Sequence, residues 1–93
     1  MGWTVRLEDD RRILISSLSG EFGGDDYFEE KYKMLSRIDP FGDTRFTRMH
    51  MPDLITDLKK LKLIDKNALI DELIALAVKC KDGEQLYICF YGD

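Results

Sequence analysis

Between Ser36 and Pro52 the chain reads SRIDPFGDTRFTRMHMP. It gathers Arg37, Asp39, Asp43, Arg45, Arg48 and the one histidine, His50, into a segment that also holds both prolines, Pro40 and Pro52. Three guanidinium groups in so short a stretch suit bidentate recognition of a carboxylate or phosphate. Histidine is the residue type whose ordinary pKa lies nearest neutrality, which makes His50 the candidate general base. Its candidate nucleophiles are Ser36, Thr44 and Cys89, and its candidate orienting carboxylates are Asp39, Asp43 and Asp53. No local motif of the Gly-x-Ser-x-Gly kind joins any of them, so no residue is assigned a catalytic role. The same residues have a structural reading. Asp39 and Asp43 are near enough in sequence to pair with Arg37 or Arg45 and pin the connection, which needs internal hydrogen bonds whatever else it does. We therefore take Arg37, Asp39, Asp43, Arg45, Arg48 and His50 as a candidate binding segment.

The surrounding chain narrows the chemistry further. The pair Gly23-Gly24 is flanked by acids and belongs to no Gly-x-Gly-x-x-Gly or P-loop pattern, so it is a poor phosphate cradle. Asp25, Asp26, Glu29 and Glu30 lack the ligand order and central glycine of an EF-hand and read instead as the acidic first turn of a helix. One histidine with two distant cysteines, Cys80 and Cys89, does not make a zinc site, and two cysteines do not make the disulfide framework of a small secreted protein. No cofactor and no metal is expected.

Charge is distributed unevenly. Residues 1–30 carry a balance of -5, residues 31–62 of +4 and residues 63–93 of -3, for a total of -4. Such asymmetry steers a partner or lets one part of the fold complement another. With a pI near 4.9 the chain lacks the concentrated basic face that nucleic-acid binding requires. No apolar run reaches the roughly 18 to 20 residues that span a bilayer, and the N-terminus lacks the basic and apolar regions of a signal peptide. Arg6 stands where a myristoylation pattern wants Ser or Thr. A cytoplasmic protein without nucleic-acid or membrane partners is the expectation.

The elements that must position these residues follow from periodicity. Residues 3–8, WTVRLE, alternate so that Trp3, Val5 and Leu7 face inward, and residues 12–18, RILISSL, follow after the turn Asp9-Asp10-Arg11 to complete an antiparallel hairpin. Asp26, with Glu29 three residues on, predicts a first helix running to about Arg37, with Phe28, Tyr32 and Leu35 on its stripe and Glu29 paired to Lys33. Asp39 before Pro40 ends it, and Gly42 sits in the turn that follows. Residues 44–49 read either as a short strand with Phe46 inward or as an irregular crossing. Pro52 and Asp53 open a second helix bearing Leu54, Ile55, Leu58 and Leu61, whose C-terminal lysines suit the macrodipole. Asp65 is the expected N-cap of a third helix over residues 66–81, ended by Gly83 in a left-handed cap. Residues 84–91, EQLYICFY, are apolar on both faces and read as an interior strand.

These elements predict a single α+β domain over residues 1–93, with the N-terminal β-hairpin and the C-terminal strand in a small, mainly antiparallel sheet packed against three helices. Helices on one face leave the other in need of a cover, so Trp3, Tyr87 and Tyr91 are candidate interface residues, and the expected partner is a protein or a second copy of the chain. The function so indicated is a non-catalytic cytosolic protein-interaction module, such as a small regulatory, adaptor or immunity-like protein. The alternative is a binder of, or enzyme acting on, a small anionic ligand, using Arg37, Arg45, Arg48 and His50.

Overall fold

A computed structural model describes residues 2–23, 31–39 and 41–92. Four strands make one antiparallel sheet: β1 (Thr4–Asp9), β2 (Leu14–Ser17), β3 (Asp43–Thr47) and β4 (Leu86–Tyr91), in the order β2-β1-β4-β3. Two α-helices, α1 (Met51–Lys62) and α2 (Ala68–Asp82), lie between β3 and β4 in sequence. The hairpin forms as its alternation indicates, and β4 is interior, pairing with β1 on one side and β3 on the other. Residues 43–47 resolve as the strand with Phe46 buried rather than an irregular crossing.

The core lies on one side of the sheet. Val5 and Leu7 from β1, Phe46 from β3 and Ile88 and Phe90 from β4 share one apolar cluster with Leu54, Leu58 and Leu61 of α1 and Ile70, Leu73, Ala77 and Cys80 of α2. Phe90 is its aromatic hub: the rings of Trp3, Phe22 and Phe46 stand 6.4, 6.2 and 5.8 Å from it, Trp3 and Phe46 edge to face. No helix among the described residues is long and apolar enough to cross a membrane.

The expectation of three helices is overturned: two α-helices are found among the described residues. The start of the expected first helix lies outside them, and its later part is a turn followed by a 3-10 helix of three residues, Leu35–Arg37. The physical cause is Asp57 on α1. Its carboxylate accepts the backbone N–H groups of Lys33, Met34 and Leu35 at 3.0, 2.5 and 3.1 Å, in place of the carbonyls four residues earlier that a helix would offer. Freed from helical spacing, Tyr32, Met34, Leu35 and Ile38 all turn inward. Lys33 pairs with Asp53 at 3.3 Å; the expected partner, Glu29, lies outside the described residues.

Two helix ends also differ. Asn67, not Asp65, caps α2 by accepting the Leu69 N–H, while Asp65 accepts the Asn67 N–H one step upstream. Gly83 is extended rather than left-handed. A Cβ there would collide with the Leu86 side chain, so close approach explains the glycine, and the positive φ falls on Gln85. Gly42 likewise has no positive φ; a Cβ on it would meet the Asp39 carboxylate at 2.7 Å.

Candidate functional site

With Trp3, Val5 and Leu7 committed to the core, alternation turns Thr4, Arg6 and Glu8 of β1 to the opposite face. Register then fixes the neighbours. Glu8 stands beside Tyr87 and Leu14, with Thr47 beyond Tyr87; Arg6 beside Cys89 and Ser17, with Arg45 beyond Cys89; Thr4 beside Tyr91, with Asp43 beyond it. Arg6 and Arg45 thus flank Cys89 on the central strand, two strand spacings or about 10 Å apart at the backbone. They lean in opposite directions. The Arg6 guanidinium sits 5.8 Å from the Tyr91 ring centre, and that of Arg45 sits 3.8 Å from the Tyr87 ring while donating to the Asp9 carbonyl at 3.3 Å. Both arginines are exposed and both tyrosines half-buried.

Glu8 lies at the centre of this arrangement, 3 % exposed although no helix covers its face among the described residues. The Tyr91 hydroxyl donates to one of its oxygens at 2.5 Å and the Cys89 thiol to the other at 3.5 Å. Burial, reinforced by the Glu8 charge, raises the Cys89 thiol from 9.0 to about 11. Burial and then the bond to Glu8 raise the Tyr91 hydroxyl as well. Both groups are therefore held protonated as donors, the opposite of what an activated nucleophile needs. Beside them opens a recess of about 180 Å3 lined by Glu8, Arg12, Asp43, Arg45, Cys89 and Tyr91. Two carboxylates and two arginines leave it balanced in charge.

The six residues singled out between Ser36 and Pro52 do not converge. Arg37 is exposed at the end of the 3-10 helix. Asp39 accepts the Phe41 N–H, and its own N–H donates to Thr44 Oγ1. Asp43 and Arg45 reach the open face, whereas Arg48 donates to the Gly83 carbonyl at 3.4 Å. Neither Asp39 nor Asp43 lies within ion-pair distance of an arginine among the described residues. His50 accepts the Thr47 N–H through Nδ1 at 3.1 Å, and its ring packs 5.6 Å from that of Phe46. Since Phe46 faces the helices, His50 and Cys89 lie on opposite sides of the sheet.

Of the three interface candidates, Tyr87 and Tyr91 sit on the open face. Trp3 is buried among the core aromatics, its indole N–H donating to the Asp39 carbonyl at 3.1 Å. Sequence reasoning missed Glu8 and Arg6, although the signal was present. Placing Trp3, Val5 and Leu7 inward puts Arg6 and Glu8 on the face that Tyr87, Cys89 and Tyr91 must also occupy, because β4 is apolar on both sides.

No relative identifies this chain. Protein-family models, curated proteins and solved structures were all compared with it, and none matches. The open sheet face is therefore read from its own chemistry.

Proposed function

We propose that this protein is a non-catalytic, cytosolic protein-interaction module that meets its partner with the open face of its sheet. The observation that carries this reading is the pair of arginine–tyrosine contacts arranged about a buried, fully bonded Glu8 on a face that no helix covers among the described residues. Tyrosine and arginine supply large contact area with polar ends, the composition enriched where proteins bind one another. Stacking restrains the guanidiniums before contact, so less rotamer freedom is lost on binding. The thiol and hydroxyl that touch Glu8 are held protonated, which suits a structural carboxylate better than a reacting one.

The second reading, a small anionic ligand, would use the recess between Arg12 and Arg45. Glu8 and Asp43 share its wall and offset most of the attraction, so the protein partner is the stronger reading.

The test is capture from native cytosol with three immobilised proteins: wild type, Arg6→Ala/Arg45→Ala, and the helix-side control Lys59→Ala/Lys60→Ala. A protein retained by wild type and control but lost from the face variant is the expected result. Equal capture by all three, or none by any, would contradict the proposal.

A further inference from the structure

We infer that the turn joining α1 to α2 docks on a bilayer that carries anionic headgroups, with Leu63 and Ile64 entering the interface and the lysines around them meeting the headgroups. The proposal is independent of the open face, since both helices pack on the other side of the sheet. Leu54, Leu58 and Leu61 complete the apolar stripe of α1 inside the core, and Leu63 and Ile64 fall beyond it, 83 and 63 % exposed. A single exposed leucine is ordinary, but two consecutive residues of this size make a contiguous apolar tip. Helical spacing sets Lys59 above Leu63 and Lys60 above Ile64, so cations and apolar groups share one side of the helix end. The backbone of the tip is already bonded: the N–H groups of Leu63 and Ile64 donate to the carbonyls of Lys60 and Leu61 at 3.2 and 3.1 Å, and that of Asp65 to Leu61 at 2.9 Å. The tip can therefore leave water without stranding a donor.

Charge and composition select the occupant. Residues 59–66, KKLKLIDK, hold four lysines against one acid in a chain of net charge -4, so an anionic surface attracts this end of an otherwise acidic molecule. All four lysines are exposed. Lys62 pairs with Asp71 at 2.6 Å, whereas Lys59, Lys60 and Lys66 have no ion pair among the described residues. Asp65, the one acid, accepts the Asn67 N–H. Lysine is depleted and arginine enriched where proteins bind one another, so this tip lacks the composition that marks the open face. A bilayer suits it: the lysine stems lie along the acyl boundary while their ammonium groups reach the headgroups. The shape agrees. The neighbouring recess of about 260 Å3 is walled by Lys62, Asp65, Lys66, Asn67 and Asp71 and not by Leu63 or Ile64, so the apolar pair projects instead of lining it. A fluid surface accepts a projecting point without a complementary pocket. Such a contact needs neither a membrane span nor an acyl chain, and two apolar side chains with a few lysines make it weak, reversible and sensitive to salt.

Co-sedimentation of the intact chain with vesicles of phosphatidylcholine alone, and of phosphatidylcholine mixed equally with phosphatidylserine, tests this, with far-UV circular dichroism to confirm that each variant is folded. Wild type is expected to sediment with the mixed vesicles and not with the neutral ones, and to be released as salt is raised. At about fivefold per lysine, Lys59→Ala/Lys60→Ala should weaken binding roughly twentyfold. Leu63→Ser/Ile64→Ser, which keeps every lysine, should weaken it roughly tenfold or more. No sedimentation with either vesicle would overturn the inference, as would equal binding to both. A double-serine variant that binds like wild type would overturn the entry of the apolar pair. Loss through Arg6→Ala/Arg45→Ala, with the double-lysine variant binding like wild type, would move the lipid contact to the open face and overturn the tip. Because the double-lysine variant is expected to lose vesicles yet keep the protein captured by the open face, each surface fails or stands on its own.

Discussion

Among the described residues two carboxylates are withdrawn from water, Asp57 at 1 % exposure and Glu8 at 3 %, yet they are held by different kinds of partner. Asp57 lies beneath the covered side and takes three backbone N–H groups from residues 33–35, so its bonds are part of the chain's path. Glu8 lies on the open side and takes a hydroxyl and a thiol, both from β4 side chains. Backbone partners make a carboxylate a staple, whereas side-chain partners make it the organiser of a surface. The same division separates the two sides of the sheet: one is filled by α1 and α2, and the other bears restrained tyrosines and arginines that no helix covers among the described residues.

The sharpest way to break this comparison is Asp57→Ala. It strands three N–H groups, two of them in buried bonds, and should cost about 4 kcal/mol by urea unfolding at one to three kcal/mol per orphaned group. A loss below about 1 kcal/mol would show that residues 31–38 are held by apolar packing alone.

A second test compares the two sides through their thiols. Burial raises both Cys80, on the helix side, and Cys89, on the open side, from 9.0 to about 11. The folded state therefore keeps these protons to higher pH than the unfolded chain. The stabilisation is complete below pH 9 and is lost as pH rises toward 11, by about 2 kcal/mol per thiol. Cys80→Ala and Cys89→Ala should each remove about half of this alkaline decline. An equal decline in the double variant would assign it to other groups.

The smallest effect belongs to Tyr91→Phe, which leaves Glu8 with the thiol alone and should cost about 1.5 kcal/mol. Because the tyrosine hydroxyl fixes Glu8 rather than the chain's path, the loss should stay well under that of Asp57→Ala. Equal losses would erase the distinction between staple and organiser.

The parts of the fold that local pattern controls were legible in the sequence. Alternation at residues 3–8 located β1, the apolar character of both faces of residues 84–91 located the interior β4, and spacing at Leu54, Leu58 and Leu61 located α1. The expected first helix failed because its decisive partner, Asp57, is more than twenty residues away, and periodicity carries no trace of a distant carboxylate. The site was half legible for a related reason. Tyr87, Tyr91, Arg45 and Asp43 were named from composition, but Arg6 and Glu8 join them only once β1 is known to lie beside β4. Arg37, Arg48 and His50 are close to Arg45 in sequence and part from it in space, because Arg45 is carried by β3 whereas Arg37 lies on the 3-10 helix before that strand and Arg48 and His50 on the 3-10 turn after it.

We propose that the open side of the sheet is a contact surface and not merely a solvated wall. The fraction of cytosolic protein retained by Arg6→Ala/Arg45→Ala, relative to wild type, tests it most directly. Two partly exposed cation–aromatic contacts are worth about 0.5–1 kcal/mol each to stability, so the variant should remain folded. The folded variant is expected to capture nothing that wild type captures through this face. Undiminished capture by a folded variant would contradict it.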